Sequence, residues 1–401
     1  MKALNNNYAK IIKPLLVNEN PNGFITRGPY SVKDHKCFTY SMLKGSLDTM
    51  VLKGINNQKL INKLILQETK IDDTVYSRYP FLLRHFNTKK LKINTYKALK
   101  IIQEKSQSTE EIFSRLRCIQ DIHNGTYRIS LNPETDGRVH TPITSLPKSV
   151  RQHVSYNGKP LVEIDISNAV PFFIFLFLKT SHQKNTPKVF SSSTNNCYPL
   201  ASFLDVLSSV AFITYSMILK KLRHVDTNEF ELLRRTTTTG TFYDQFVEDF
   251  KESHSYAELK KMSIENGADF NGSHKDIKRI VKKRMLSMIY AKPKGFKKEQ
   301  AIFARHFPTL LLALNSAKIS GKGKERYKNL SHLFMQFEAS IMINLCARRF
   351  NQKFARHAPI FTLHDCLITT ADYAAKLQEI IESEFLEHFS VKPKLKRQIW
   401  N

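Results

Sequence analysis

The sequence predicts an α+β protein in which helices dominate and a small antiparallel sheet lies in the second half. Three observations predict it. An apolar run, Pro160-Leu-Val-Glu-Ile-Asp165, alternates like a strand and ends in a carboxylate. A second apolar segment, Pro359-Ile-Phe-Thr-Leu-His-Asp-Cys-Leu-Ile-Thr-Thr370, reads as strand, tight turn, strand, with His364-Asp365 at the tip. Most of the remainder repeats apolar residues at helical spacing.

The elements follow in chain order. Residues 57–68 carry a helix-like apolar stripe, and 108–123 open on a capping box, Ser108 with Glu111. Residues 126–165 hold short strand-like runs, turn signals and prolines. From 170 to 260 the pattern is helical, interrupted by the polar stretch 181–197. A strongly basic helix is predicted at 274–291, then helices at 299–317 and 329–350, the hairpin at 359–369 and a helix at 371–389. The run Gly321-Lys-Gly-Lys-Glu-Arg326 reads as a mobile basic loop.

Lys and Arg number 62 against 35 Asp and Glu, a net charge of +27. Such an excess favours a partner with dense negative charge, and nucleic acid is the first candidate because neutralised phosphates release counterions. A membrane surface and an acidic protein are the rivals. The five cysteines (Cys37, Cys118, Cys197, Cys346, Cys366) are odd in number and never form a CxxC pair. That pattern argues against a disulfide framework or a zinc site and fits a reducing, intracellular compartment. The first residues lack a signal-peptide pattern. Residues 170–178 are too short to span a bilayer, and 201–219 carry Asp205 and several hydroxyls, so a buried helix is expected there and no membrane partner.

Asp165 sits between an apolar strand and the apolar run Phe172–Leu178. It suits a metal ligand, and it equally suits the cap of the following helix. Glu163, two residues earlier, shares its strand face. It is either a third carboxylate of a site or a solvent-facing glutamate. Asp365 reads as a second metal ligand or as an ordinary turn aspartate. Between them, Lys278, Lys282, Leu286 and Tyr290 recur every four residues and share one helix face. Two cations, an apolar side chain and an aromatic can grip a triphosphate and stack a base.

The order of these motifs resembles the polymerase superfamily that contains bacterial DNA polymerase I and the phage T7-like single-subunit RNA polymerases. Asp136-Gly-Arg-Val-His-Thr141 resembles its TGRxSS segment, and Leu146-Pro-Lys-Ser-Val-Arg151 the stretch leading into motif A. Leu161-Val-Glu-Ile-Asp-Ile-Ser-Asn168 is similar to motif A, and Lys278-x3-Lys282-x7-Tyr290 to motif B. Met335-Gln-Phe-Glu-Ala-Ser340 is similar to the helix carrying a primer–template glutamine, and Leu363-His-Asp-Cys366 to motif C. The resemblance covers residues 136–395.

It implies a right-hand polymerase architecture: a palm with a small antiparallel sheet, helical fingers and a helical, thumb-like N-terminal region. The corresponding boundaries are 1–130 for the thumb-like region, 131–180 for the palm with motif A, 181–300 for the fingers, and 301–401 for the palm with motif C and a last helix. It implies two Mg²⁺ ions, with Mn²⁺ as a substitute, held by Asp165, Asp365 and the backbone carbonyl of Ile166. It implies nucleoside triphosphate contacts from Lys278, Lys282, Leu286 and Tyr290. Arg138, Arg151, Gln336 and His364 would contact primer and template, DNA first and RNA as the alternative. Four positions depart from the family pattern: Val170, Leu286, Ala291 and Cys366. The expected activity is template-directed DNA synthesis. The alternatives are an RNA polymerase or primase-like enzyme, and a non-catalytic replication initiator on the same scaffold.

Overall fold

A computed structural model describes residues 25–27, 40–42, 70–105, 109–182, 209–355 and 357–400. The stripe at 57–68, Ser108 and all but the first two residues of the polar stretch 181–197 lie outside the described residues. Eleven short strands run through them: β1 (Ile25–Arg27), β2 (Tyr40–Met42), β3 (Lys70–Ile71), β4 (Leu91–Ile93), β5 (Arg128–Leu131), β6 (Val139–His140), β7 (Val154–Tyr156), β8 (Lys159–Ile166), β9 (Phe361–Leu363), β10 (Cys366–Thr370) and β11 (Leu395–Ile399). Helices occupy most of the rest, so the structure is mixed, helix-rich, with an antiparallel sheet in its second half.

The chain divides into two compact units. The first comprises Met1–Ile71, Lys92–Ile129 and Thr141–His153. Its helices Thr95–Lys105 and Thr109–Asn124 pack on each other through Ala98, Ile102, Leu116 and Ile119. Two one-turn helices, Pro142–Ser145 and Lys148–Arg151, add Ile143 and Val150. The first of these starts on a capping box, Thr141 with Thr144, and has Pro142 at the position where a missing N–H costs nothing. β1 pairs antiparallel with β2, and β3 runs parallel to the first half of β5.

The second unit comprises Asp72–Leu91, Ser130–His140 and Val154–Asn401. Its sheet is built around β8. A two-residue loop, Asn157-Gly158, joins β7 to β8. Both loop residues have positive φ (51° and 73°), the combination such a hairpin requires and Asn-Gly supplies. β10 pairs with β8 from Leu161 to Asp165, and β11 pairs with it from Val162 to Ile166. β9 closes on β10. One face of β8 is covered by the helix Ala371–Phe389.

The helix Ala169–His182 is apolar all round, and Phe172 to Leu178 are each at most 2% exposed. An apolar surface on every side demands neighbours on every side. The helices Thr227–Thr239 and Lys328–Ala339 supply them. Ser209–Leu222, the helix expected within 201–219, packs on Pro308–Lys318. No helix among the described residues is long and apolar enough to cross a membrane.

Several sequence expectations need correction. The single helix predicted at 299–317 is two, Lys297–His306 and Pro308–Lys318. Proline pushes the residue before it out of helical geometry, and Phe307 sits at φ −138°, ψ 60°. The helix predicted at 329–350 runs from Lys328 to Phe354 but widens to π-helical bonding over Ser340–Ala347. Asp165 lies inside β8, four residues before Ala169, so it is not the cap of the next helix. A last strand, β11, follows the final helix, where none was expected.

Candidate active site

The centre of the site is a row across three strands. Cys366 lies in register with Asp165 on one edge of β8, and Lys396 lies in register with Asp165 on the other. Glu163 shares the Asp165 face because side chains alternate along a strand. Asp365 enters from the β9–β10 turn, directly before Cys366. The turn partner His364 is exposed and has φ 53°, an uncommon conformation for a residue with a Cβ. One ligand-type atom from each of Asp165, Asp365 and Cys366 lies within 4.8 Å of the others. The two sequence-predicted aspartates, about 200 residues apart, are therefore brought together.

The thiol of Cys366 is buried among the carboxylates. Its Sγ lies 3.3 Å from Asp165 Oδ1, 3.6 Å from Glu163 Oε1 and 3.7 Å from Asp365 Oδ1, and its single proton is donated to one of them at a time. Burial, then the three carboxylates, pushes its pKa well above the ordinary value, so it stays a protonated donor. Glu163 is 9% exposed and accepts from Trp400 Nε1 at 3.3 Å. It is a buried third carboxylate, not a solvent-facing glutamate.

Asp165 is partly buried, and its pKa is pushed up to about 6. Burial is the largest cause and Asp365 the next, with Glu163 adding and the Cys366 thiol and the Lys282 charge opposing. Mutual repulsion of this kind is relieved by a divalent cation. The carboxylate oxygens are hard donors that fit Mg²⁺ or Mn²⁺. Asp165 and Asp365 are the residues that would hold it, and the soft thiol serves as an orienting donor. Ile166, expected to offer its carbonyl, is the last residue of β8 and pairs with Leu395.

The basic helix, predicted at 274–291, spans His274–Tyr290 and is capped by Ser273. Lys282 is exposed, and its charge reaches Asp165. Lys278 is held in an ion pair by Asp244 at 2.6 Å. Leu286 and Tyr290 are half-buried. Burial raises the Tyr290 phenol; Glu338 raises it further, Arg138 opposes, and Asp365 adds a smaller push.

Arg138 pairs with Glu338, a carboxylate only 2% exposed. Burial lifts Glu338 to about 7 against the pull of Arg138, with Asp365 and Asp165 adding to the rise. Gln336 is buried, and its amide is fully engaged. It accepts from Tyr215 Oη at 2.8 Å and donates to the carbonyls of Pro133 at 2.8 Å and Thr135 at 3.1 Å. It thereby clamps the turn that leads to Arg138. Arg151 belongs to the other unit, on the helix Lys148–Arg151.

Sequence reasoning missed Glu338, Trp400, Tyr243 and Lys396. Only Glu338 left a signal, two residues after Gln336 and flanked by the apolar Phe337 and Ala339. Tyr243 is fully buried, and after burial its phenol is raised chiefly by Tyr290 and Asp365.

What the fold and site define is a carboxylate pair on a sheet, beside a cationic helix. No family model matches the chain, and no curated protein matches it. Among solved structures, the chain is similar to the POL domain of Pol1 from M. smegmatis in complex with DNA primer-template and dNTP. The identity is 11% and the TM-score 0.26, over 85% of this chain and 66% of that one, so this chain spans just under two thirds of it. A likeness at that level does not define a common fold.

Proposed function

We propose that this chain is a template-directed nucleotidyltransferase that extends a 3′-hydroxyl with deoxynucleoside triphosphates. The observation that carries the reading is the convergence of Asp165 and Asp365 at one point of the sheet, within reach of the Lys282 charge. The motif order resembling motifs A, B and C supports it, as does the net charge of +27. A carboxylate cluster on a polyanion-binding protein repels its own ligand unless the carboxylates serve cations.

Asp165 and Asp365 would hold two divalent ions, which when bound activate the attacking hydroxyl and stabilise the leaving oxygen. The chain's own groups do the rest. Lys282 neutralises triphosphate charge. Leu286 and Tyr290 offer the base an apolar and an aromatic surface. Arg138, fixed by Glu338, carries positive charge toward Asp365. The Cys366 thiol orients the carboxylates without ionising.

The test is extension of a labelled primer on a template, with Mg²⁺, comparing dNTPs and rNTPs. Asp165→Ala and Asp365→Ala should each abolish extension and leave primer–template affinity nearly unchanged. Lys282→Ala should raise the KM for triphosphate more than the Kd for the template. Full activity in either alanine variant would remove the assignment. Binding by the parent chain without extension under any condition would make it a nucleic-acid-binding protein, not an enzyme.

A further inference from the structure

β11 brings a row of lysines to the edge of the aspartate site. In register with β8, Lys396 stands opposite Asp165 and Gln398 opposite Glu163. Directly opposed residues share a sheet face, with Cβ atoms about 5 Å apart. Lys394, Lys396 and Gln398 therefore alternate onto the Asp165 face. Arg397 goes to the other face, where its Nε donates to Gln378 Oε1 of the helix Ala371–Phe389 at 2.6 Å. The alternation is thus fixed by a contact on the far side.

Both Lys394 and Lys396 are exposed. Among the described residues neither makes an ion pair, whereas Lys392 reaches Glu382 at 3.8 Å. The stem of Lys394 is guided. Its carbonyl accepts from the Ser167 amide at 2.8 Å, and it passes over Gly240, the left-handed cap of the helix Thr227–Thr239. A Cβ at Gly240 would lie 3.3 Å from Lys394 Cγ and 3.4 Å from Ser167 Cβ, so the path depends on a residue without a side chain. Lys394 and Lys396 thus stand exposed, without an ion pair among the described residues, on the strand edge in register with Asp165.

We propose that Lys396, together with Lys394, binds the phosphodiester backbone of the nucleic-acid strand whose end lies at Asp165. The identity of that strand rests on the nucleotidyltransferase reading; the test below reads binding, not turnover. A lysine that neutralises one duplex phosphate contributes about 0.9 to the slope of log affinity against log salt.

The experiment is fluorescence anisotropy of a labelled primed duplex between about 50 and 200 mM NaCl, the range over which such contacts are lost, without divalent ions or nucleotide. Lys396→Ala should lower the slope by about 0.9 and the double variant with Lys394→Ala by about 1.8, with Lys396→Arg close to the parent and melting temperatures unchanged. An unchanged slope in the double variant would overturn the proposal. So would unchanged duplex binding with a raised triphosphate KM, which would give the lysines to the nucleotide. If the slope falls as expected in a chain that extends no primer, the lysine track stands and the catalytic reading fails.

Discussion

Asp165→Asn is expected to yield a catalytically dead protein that is more stable than its parent. In the folded chain the Asp165 carboxyl titrates near 6, up from 3.8, because it is partly buried and faces Asp365 and Glu163. A raised carboxyl means that the charged form is disfavoured by folding. Stability is then complete below about 4, falls as pH rises through 6, and is reduced by the full amount above 7. At 1.36 kcal/mol per pKa step the cost is on the order of 3 kcal/mol, or about 2 kcal/mol once solvent screening on the open side is allowed for. Asparagine keeps the shape, and its oxygen still accepts from the Cys366 thiol, so the substitution removes the charge and little else. Urea melts at pH 4, 6 and 8 with a chelator present should show the two proteins converging at pH 4 and separating by about 2 kcal/mol at pH 8. Adding Mg²⁺ at pH 8 should stabilise only the parent and narrow the gap. A variant that is equally or less stable at pH 8, or whose gain does not depend on pH, would refute the charge-cluster account of Asp165.

Three further outcomes follow from contacts in the second unit. Arg138→Met strands the Glu338 carboxylate, 2% exposed, and should cost about 3 kcal/mol at pH 8 in denaturant melts. The loss should shrink as pH falls from 8 toward 7, because without Arg138 the buried Glu338 carboxyl is pushed further up and takes up its proton above 7. Gln336→Leu removes one buried and two partly buried hydrogen bonds and should cost about 2–3 kcal/mol, with faster amide exchange across residues 133–138. Glu229→Ala frees the amides of Thr309 and Leu310, which the carboxylate caps at 2.8 Å each; thermal melts should register about 1–2 kcal/mol.

The parts of the fold legible in sequence were those whose pattern is local. The helix Ala371–Phe389 carries its periodicity within itself, and the basic helix His274–Tyr290 its periodicity and its Ser273 cap. The β9–β10 turn announced itself by apolar residues on both sides of His364-Asp365. β11 was hidden because Lys394-Leu-Lys-Arg-Gln-Ile399 reads as a solvated charged run. It becomes a strand only because β8 offers an open edge. Glu163 alone reads as a surface glutamate; its burial depends on Trp400, more than 200 residues later. The face shared by Lys278 and Lys282 was correctly drawn, yet spacing could not reveal that Asp244 holds Lys278. Glu338 needed Arg138 from a distant turn before its place in a helix core made sense.

The central position of β8 also sets a timetable for biosynthesis. Its partners on either edge, β10 and β11, begin about 200 residues downstream. While the ribosome makes the intervening helices, the stretch of β8 that carries the two carboxylates lies beyond the short hairpin with β7 and has no partner strand. Pairings this distant in sequence form slowly, and an unpaired edge invites association with other chains. The cluster of Asp165, Asp365 and Cys366 can assemble only after residue 366 has been translated. The basic helix His274–Tyr290 is therefore made before the carboxylate cluster, and a chain interrupted ahead of Asp365 would lack that cluster.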